Sequence, residues 1–137
     1  MSATFFDRRQ FDLDLVVEHD LYWTAVRTRQ EAHYLAAILN SGVTNEQIKP
    51  FQSGGLLGER HIEKKVLDLP IPMFNPDVAT HIELGQLGLQ AYERARKLVQ
   101  SEDYPTGLVA QRELMRTGAA DLLESIDRIV GELMPLR

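Results

Sequence analysis

Residues Phe11 to Thr28 read FDLDLVVEHDLYWTAVRT, and the fold class turns on how this stretch is taken. Phe11, Leu13 and Leu15 alternate with Asp12 and Asp14, the two-residue period of a strand with one buried face. His19-Asp20 supplies a turn, and Leu21 to Val26 is aromatic and β-branched, the composition of a second strand. Together they predict a hairpin or a pair of sheet strands. In that setting Tyr22 and Trp23 are expected in the core or half-buried on the sheet rather than stacked on a base.

Toward the C-terminus the period changes to that of helices. Gln30 to Leu39 is a helix with Tyr34, Leu35, Ile38 and Leu39 as its apolar stripe. Thr28 and Glu31 stand at capping-box spacing. Asn40-Ser41-Gly42 is the expected stop, through a residue that tolerates the left-handed conformation. Thr44 to Gln47 opens a short helix that ends before Pro50. Gln52 to Glu59 reads as a loop with Gly54, Gly55 and Gly58 as its flexible points. His61 to Lys65 is polar, about one helical turn. Val66 to Phe74 carries Pro70 and Pro72, so it is expected as an extended edge segment.

Two long helices follow. His81 to Ser101 places Leu84, Leu87, Ala91, Ala95 and Leu98 three or four residues apart. Asp103 to Gly107 is the connector. Leu108 to Met134 aligns Met115, Ala119, Leu122, Ile126, Ile129 and Leu133 in a coiled-coil-like seam. Gly118 lies inside it, where a break or a close contact is expected because glycine weakens a helix by ~1 kcal/mol relative to alanine. The short connector makes the two helices antiparallel neighbours. The predicted class is α+β: a small mixed sheet and helix part over 1–75, then a helical hairpin over 76–137, in one compact domain.

The chain has 137 residues, 44% apolar and 26% charged, enough for one domain with a real core. It has no cysteine, which excludes disulfides and thiolate metal sites. No apolar run approaches the roughly 20 residues that span a bilayer. The opening MSATFFDRRQFDLD lacks the order of a secretory signal. A cytoplasmic location without membrane attachment is therefore expected. The net charge of -5 counts against a stand-alone nucleic-acid binder, though acids on one face are compatible with a local basic patch on another.

No residue pattern announces catalysis. His19, His33, His61 and His81 show no i, i+4 pair flanking an acid, as zinc hydrolase helices require, and His33 is expected at the surface or edge of its helix. No serine sits in a nucleophile motif. Catalytic, metal-binding and cofactor-binding residues are all expected to be absent. The stretch from Lys49 to Lys65 is the candidate DNA contact. Lys49, Arg60, Lys64 and Lys65 can meet phosphates, Gln52 and Ser53 add neutral hydrogen-bonding groups, and Arg or Gln can read base edges. The bland alternative is a solvated loop, with Glu46, Glu59 and Glu63 offsetting most of that charge. Arg94, Arg96 and Lys97 on one long helix, and Arg112 and Arg116 on the other, read as solvated faces, with DNA backbone as the sharper alternative.

The order of parts from Tyr34 to Pro72, YLAAILNSGVTNEQIKPFQSGGLLGERHIEKKVLDLPIP, resembles one family. It is similar to the C-terminal target-recognition region of restriction-modification adenine-specific DNA methyltransferases, of the type IIG and type I specificity-subunit kinds. The resemblance rests on Tyr34-Leu35, Asn40-Ser41, Ile48 to Ser53, Gly58 to Ile62, Leu69-Pro70-Ile71-Pro72 and the last helix from Leu122 to Val130. It covers about residues 15–134. The family's glycine-rich cofactor loop and its Asn/Asp-Pro-Pro-aromatic motif are absent, since Asn75-Pro76-Asp77 lacks the second proline and the aromatic. Glu63-Lys64-Lys65 precedes Pro76-Asp77, the wrong order for a nuclease site.

The resemblance implies a non-catalytic DNA target-recognition or DNA-positioning part of a prokaryotic methyltransferase or restriction enzyme. Its implied partners are double-stranded DNA and a catalytic domain or subunit that holds S-adenosylmethionine. The alternative is a helical protein-interaction or oligomerisation module, a homodimer included, without direct DNA contact.

Overall fold

A computed structural model of the chain describes residues 3–10, 22–51, 54–55, 58–59 and 68–135. These residues build five α-helices: α1 (Arg29–Asn40), α2 (Gly42–Ile48), α3 (Ala79–Val99), α4 (Leu108–Gly118) and α5 (Ala120–Leu133). The architecture is helical, and the expected α+β class is wrong. The extended pairing among the described residues is a ladder two residues long on each side, Gly54 opposite Glu59 and Gly55 opposite Gly58. A pair of that size has no face on which a core could form.

The strand expectation fails at residues that can be compared. Tyr22 to Val26 is irregular, and Trp23 is 75% exposed and Tyr22 54%. β-branched and aromatic composition favours a strand only where a pleated, half-buried surface exists to receive it, and no described segment supplies one here. The first strand candidate, Phe11 to Leu15, lies outside the described residues.

α1 begins as its sequence indicates. Thr28 Oγ1 accepts from the Glu31 amide at 3.1 Å, and the Glu31 carboxylate reaches back to the Arg27 amide at 2.6 Å, one residue before the cap. The stop differs from the expected left-handed one. Ser41 takes an extended conformation, φ -66° and ψ 151°, and serves two helices at once. Its hydroxyl donates to the Ile38 carbonyl at 2.8 Å and accepts from the Thr44 amide at 3.1 Å, so one buried side chain closes α1 and opens α2. The next turn, Lys49–Phe51, is 3₁₀.

One core joins residues from both halves of the chain. Tyr34, Ala37 and Ile38 of α1 meet Leu84 of α3, Ile126, Ile129 and Val130 of α5, and Met134. Leu35, Val43, Ile71, Phe74, Leu87, Ala91 and Leu133 pack against it half-buried. α1 lies unusually close to α3, because a Cβ at Gly88 would stand 2.3 Å from the His33 carbonyl oxygen. Only a glycine admits backbone at that range.

α3 runs antiparallel to the last helices. Leu98 touches Gly118, Arg94 pairs with Asp121, and Glu83 lies 3.9 Å from Arg128. The expected single helix over Leu108 to Met134 is two, divided at Ala119, whose φ is -126° and ψ 19°. A Cβ at Gly118 would sit 2.7 Å from Leu98 Cδ1, so the break and the close contact anticipated at this glycine both occur. The apolar seam faces inward. Ala119, Leu122, Ile126 and Ile129 are buried and Met115 and Leu133 half-buried, whereas α4 buries no residue.

The N-terminal segment Ala3–Gln10 lies along α1 in the opposite direction. Ala3 exchanges two hydrogen bonds with the Asn40 side chain, each 2.8 Å. Phe5 sits edge-on to His33 at 4.7 Å and against Tyr92 of α3 at 5.2 Å. Asp7 pairs with Arg29 at 2.7 Å.

Candidate nucleic-acid interface

The described residues on either side of the candidate segment, α2 before it and Asp68 to Asn75 after it, are both fixed to the helical body. On the first side, α2 is tied to the C-terminal part of the chain at each end. The Gly42 amide donates to Asp127 Oδ1 at 2.7 Å, and Gln47 Nε2 donates to the Met134 carbonyl at 2.8 Å. Between these bonds Thr44 is fully enclosed, and Ile48, just after Gln47, is buried. Lys49, the first candidate cation, follows immediately. It is exposed, and its Nζ lies 3.5 Å from Glu46 Oε1, a pair of the exposed kind that contributes little.

The second side is held through the proline segment. The Ile71 amide donates to the Leu69 carbonyl at 2.8 Å, a three-residue turn around Pro70. The Tyr34 hydroxyl donates to the Pro72 carbonyl at 2.9 Å. Burial of this phenol pushes its pKa up to about 12, so it remains a donor across the physiological range. Phe74 and His81 complete an aromatic group, with ring centroids 5.4 Å and 4.8 Å from Tyr34. His81 Nδ1 accepts from the Asn75 amide at 3.0 Å. In the described part of the segment expected as an extended edge, Asp68 to Phe74, the chain is irregular beyond the one turn at Leu69 to Ile71 and pairs with no described strand.

Of the six candidate DNA-contacting residues, Lys49 is placed. Gln52, Ser53, Arg60, Lys64 and Lys65 lie outside the described residues, as does the expected turn over His61 to Lys65. The glycines of the segment take part in the short ladder at Gly54–Gly55 and Gly58–Glu59 rather than acting as loose points.

Of the five cations singled out on the long helices, two are paired. Arg94 binds Asp121 and holds that carboxyl below its usual range. Arg116 pairs with Glu113 at 2.7 Å. Arg96, Lys97 and Arg112 are exposed, as expected of a solvated face.

Two histidines are more enclosed than the sequence indicates. His33 and His81 are each 6% exposed. His33 Nδ1 is buried and has no hydrogen-bond partner among the described residues. Burial first, and Arg29 second, hold its pKa down, with Glu93 opposing. The missed signal was α1 itself, which is covered on two sides and so buries a wider arc than its four-residue stripe. No group of three or more His, Asp or Glu side chains converges among the described residues. No helix among them is long and apolar enough to cross a membrane.

Comparison with protein-family models, with curated proteins and with solved structures finds no match to this chain.

Proposed function

We propose that this chain is a non-catalytic DNA target-recognition or DNA-positioning part of a restriction-modification methyltransferase. The observation that carries the reading is the double anchorage of one polar segment. Gly42–Asp127 and Gln47–Met134 hold its start, and Tyr34–Pro72 holds its return. A segment whose ends are fixed loses less freedom on binding than a free one, which suits a loop that must meet DNA in one register. The ordered motifs that resemble the methyltransferase recognition region, Tyr34-Leu35 and Leu69 to Pro72, are the two sides of that anchor.

Charge supports the same assignment. Within 49–65 four cations, Lys49, Arg60, Lys64 and Lys65, stand against two acids, Glu59 and Glu63, in a chain whose net charge is -5. The segment, like the stretch from Arg94 to Lys97, is thus locally basic. Its cations would neutralise phosphates and set the register, while Arg60, Gln52 and Ser53 supply the donors and acceptors that distinguish base edges. Transfer of a methyl group to adenine from S-adenosylmethionine belongs to a separate catalytic domain or subunit.

Fluorescence anisotropy of a labelled duplex, from low to physiological salt, tests the proposal. Salt-sensitive binding is expected. In the double variant Lys64→Ala, Lys65→Ala the slope of log affinity against log salt should fall by about 2, close to 0.9 per phosphate contact. An unchanged slope removes this segment from the interface.

A second reading has its own observation. α4 buries nothing, and Leu108 and Val109 are 60% and 82% exposed, so this helix offers an apolar surface to a protein partner. Absence of duplex binding even at low salt would favour that module over a DNA contact.

A further inference from the structure

We propose that Ala3–Gln10 is a strap over the α1–α3 groove that mild acid releases, with His33 as the trigger. Three anchors hold the strap. Asn40 grips the Ala3 backbone, Phe5 covers His33 and Tyr92, and Asp7 binds Arg29. The middle anchor is the one built around a group that changes charge near neutral pH.

The geometry makes the charged form of His33 costly. Its ring lies 4.7 Å from Phe5 and 5.7 Å from Tyr92, and Nδ1 is buried without a partner among the described residues. As a neutral ring with the proton on Nε2, the imidazole leaves only an unused lone pair there. Protonated, it places a buried N–H donor beside Phe5 and Tyr92 with no acceptor in reach among the described residues, a larger penalty.

The surrounding charges do not remove that penalty. From α1, Arg29 opposes a second positive charge, while Glu93 of α3 offsets it in part. From the strap, Asp7 is already engaged by Arg9 and Arg29. Tyr92 contributes a ring face.

The folded-state pKa of His33 is lowered, so the unfolded chain or released strap binds the proton more readily. The contribution is therefore fully present above about 6.5, the free imidazole value, and fades as pH falls through the folded value. Asp7 does not share that window. Its hydrogen bonds to Arg9 and Arg29 hold its carboxyl well below the usual carboxylate range, so the ion pair persists while His33 titrates. Protonation weakens the centre of the strap by pushing Phe5 off the ring, and the exposed face gained is Phe5, His33 and Tyr92.

The experiment is a pH titration of the full chain, from about 8 to about 4.5, followed by heteronuclear NMR of the His33 ring, the Ala3 amide and the Phe5 ring. The expected result is one shared midpoint below about 6.5, with the Ala3 and Phe5 signals moving toward unstructured positions. In His33→Phe, a ring that cannot charge, the strap signals should hold their positions over the same range. Strap signals that stay fixed while His33 titrates overturn the proposal, as does strap release in His33→Phe at the wild-type midpoint. Should His33→Phe fail to fold, the coincidence or separation of midpoints in the unmodified chain decides alone.

Discussion

Tyr34 contributes both apolar area and a hydrogen bond, and the two can be separated. Its ring is fully buried among Phe74, His81 and the core, and its hydroxyl reaches the Pro72 carbonyl. Tyr34→Phe keeps the ring and leaves that carbonyl unpaired, so it should cost about 1 kcal/mol in chemical denaturation. If the anchor sets the DNA-contacting segment, duplex affinity should fall by more than this loss of stability accounts for. A stability loss with affinity unchanged would make the bond purely structural. Tyr34 was legible in the sequence as part of a helical stripe. His33 was not, because a stripe predicts one buried face, and α1 has a second one beneath the strap and against α3. The partners of Asn40 were equally hidden, since nothing local in NSG indicates that its side chain will hold Ala3 across a separation of 37 residues.

At the scale of elements, two helical glycines make opposite predictions. A Cβ at Gly88 meets a backbone carbonyl, which cannot move without moving α1, whereas a Cβ at Gly118 meets the tip of Leu98, which can rotate away. Gly88→Ala should therefore destabilise by about 3 kcal/mol or more, as overpacking against rigid structure does. Gly118→Ala should lie within about 1 kcal/mol of the parent, because the gain in helix propensity of up to about 1 kcal/mol opposes the local crowding. Thermal melts of the two variants side by side check this, and similar losses in both would show that Leu98 is as immovable as the backbone. The helices themselves were readable from spacing, with ends displaced by about one turn or less. Two things were not: the division at Ala119, which depends on how α4 and α5 pack on α3, and the irregularity of Tyr22 to Val26, whose strand-like composition meets no partner strand among the described residues.

For the whole molecule, the uneven distribution of buried surface separates body from periphery. α1, α3 and α5 supply the core, and α4 rests on the end of α3 without a buried residue of its own. Val109→Glu should accordingly change folding stability by less than about 0.5 kcal/mol, as substitutions at exposed positions do. A larger loss would mean that α4 is packed more tightly than its exposure indicates. If α4 is where a catalytic partner docks, the same variant should remain folded and lose that association, which light scattering of the mixed components would detect. The single core was legible from the apolar stripes, but not the pairing that makes it, in which the first and last long elements of the chain are neighbours. The candidate interface was legible only as chemistry. Charge and motif order singled out 49–65, while the anchors at its two ends appear only once α2, α5 and the proline segment are in place.

The bond from Gln47 to the Met134 carbonyl spans 87 residues, and that from Gly42 to Asp127 spans 85. Read as a timetable rather than a contact, this span sets an order of events during synthesis. At 5–20 residues per second, about 4–17 s separate the appearance of α2 from that of the groups it must hold. Through that interval α1 and α3 can associate through Gly88, but Tyr34 and Ile38 wait for Ile126, Ile129 and Val130. α5, made after α1, α2 and α3, is the helix that closes this core, and α2 gains its ties to Asp127 and Met134 only then.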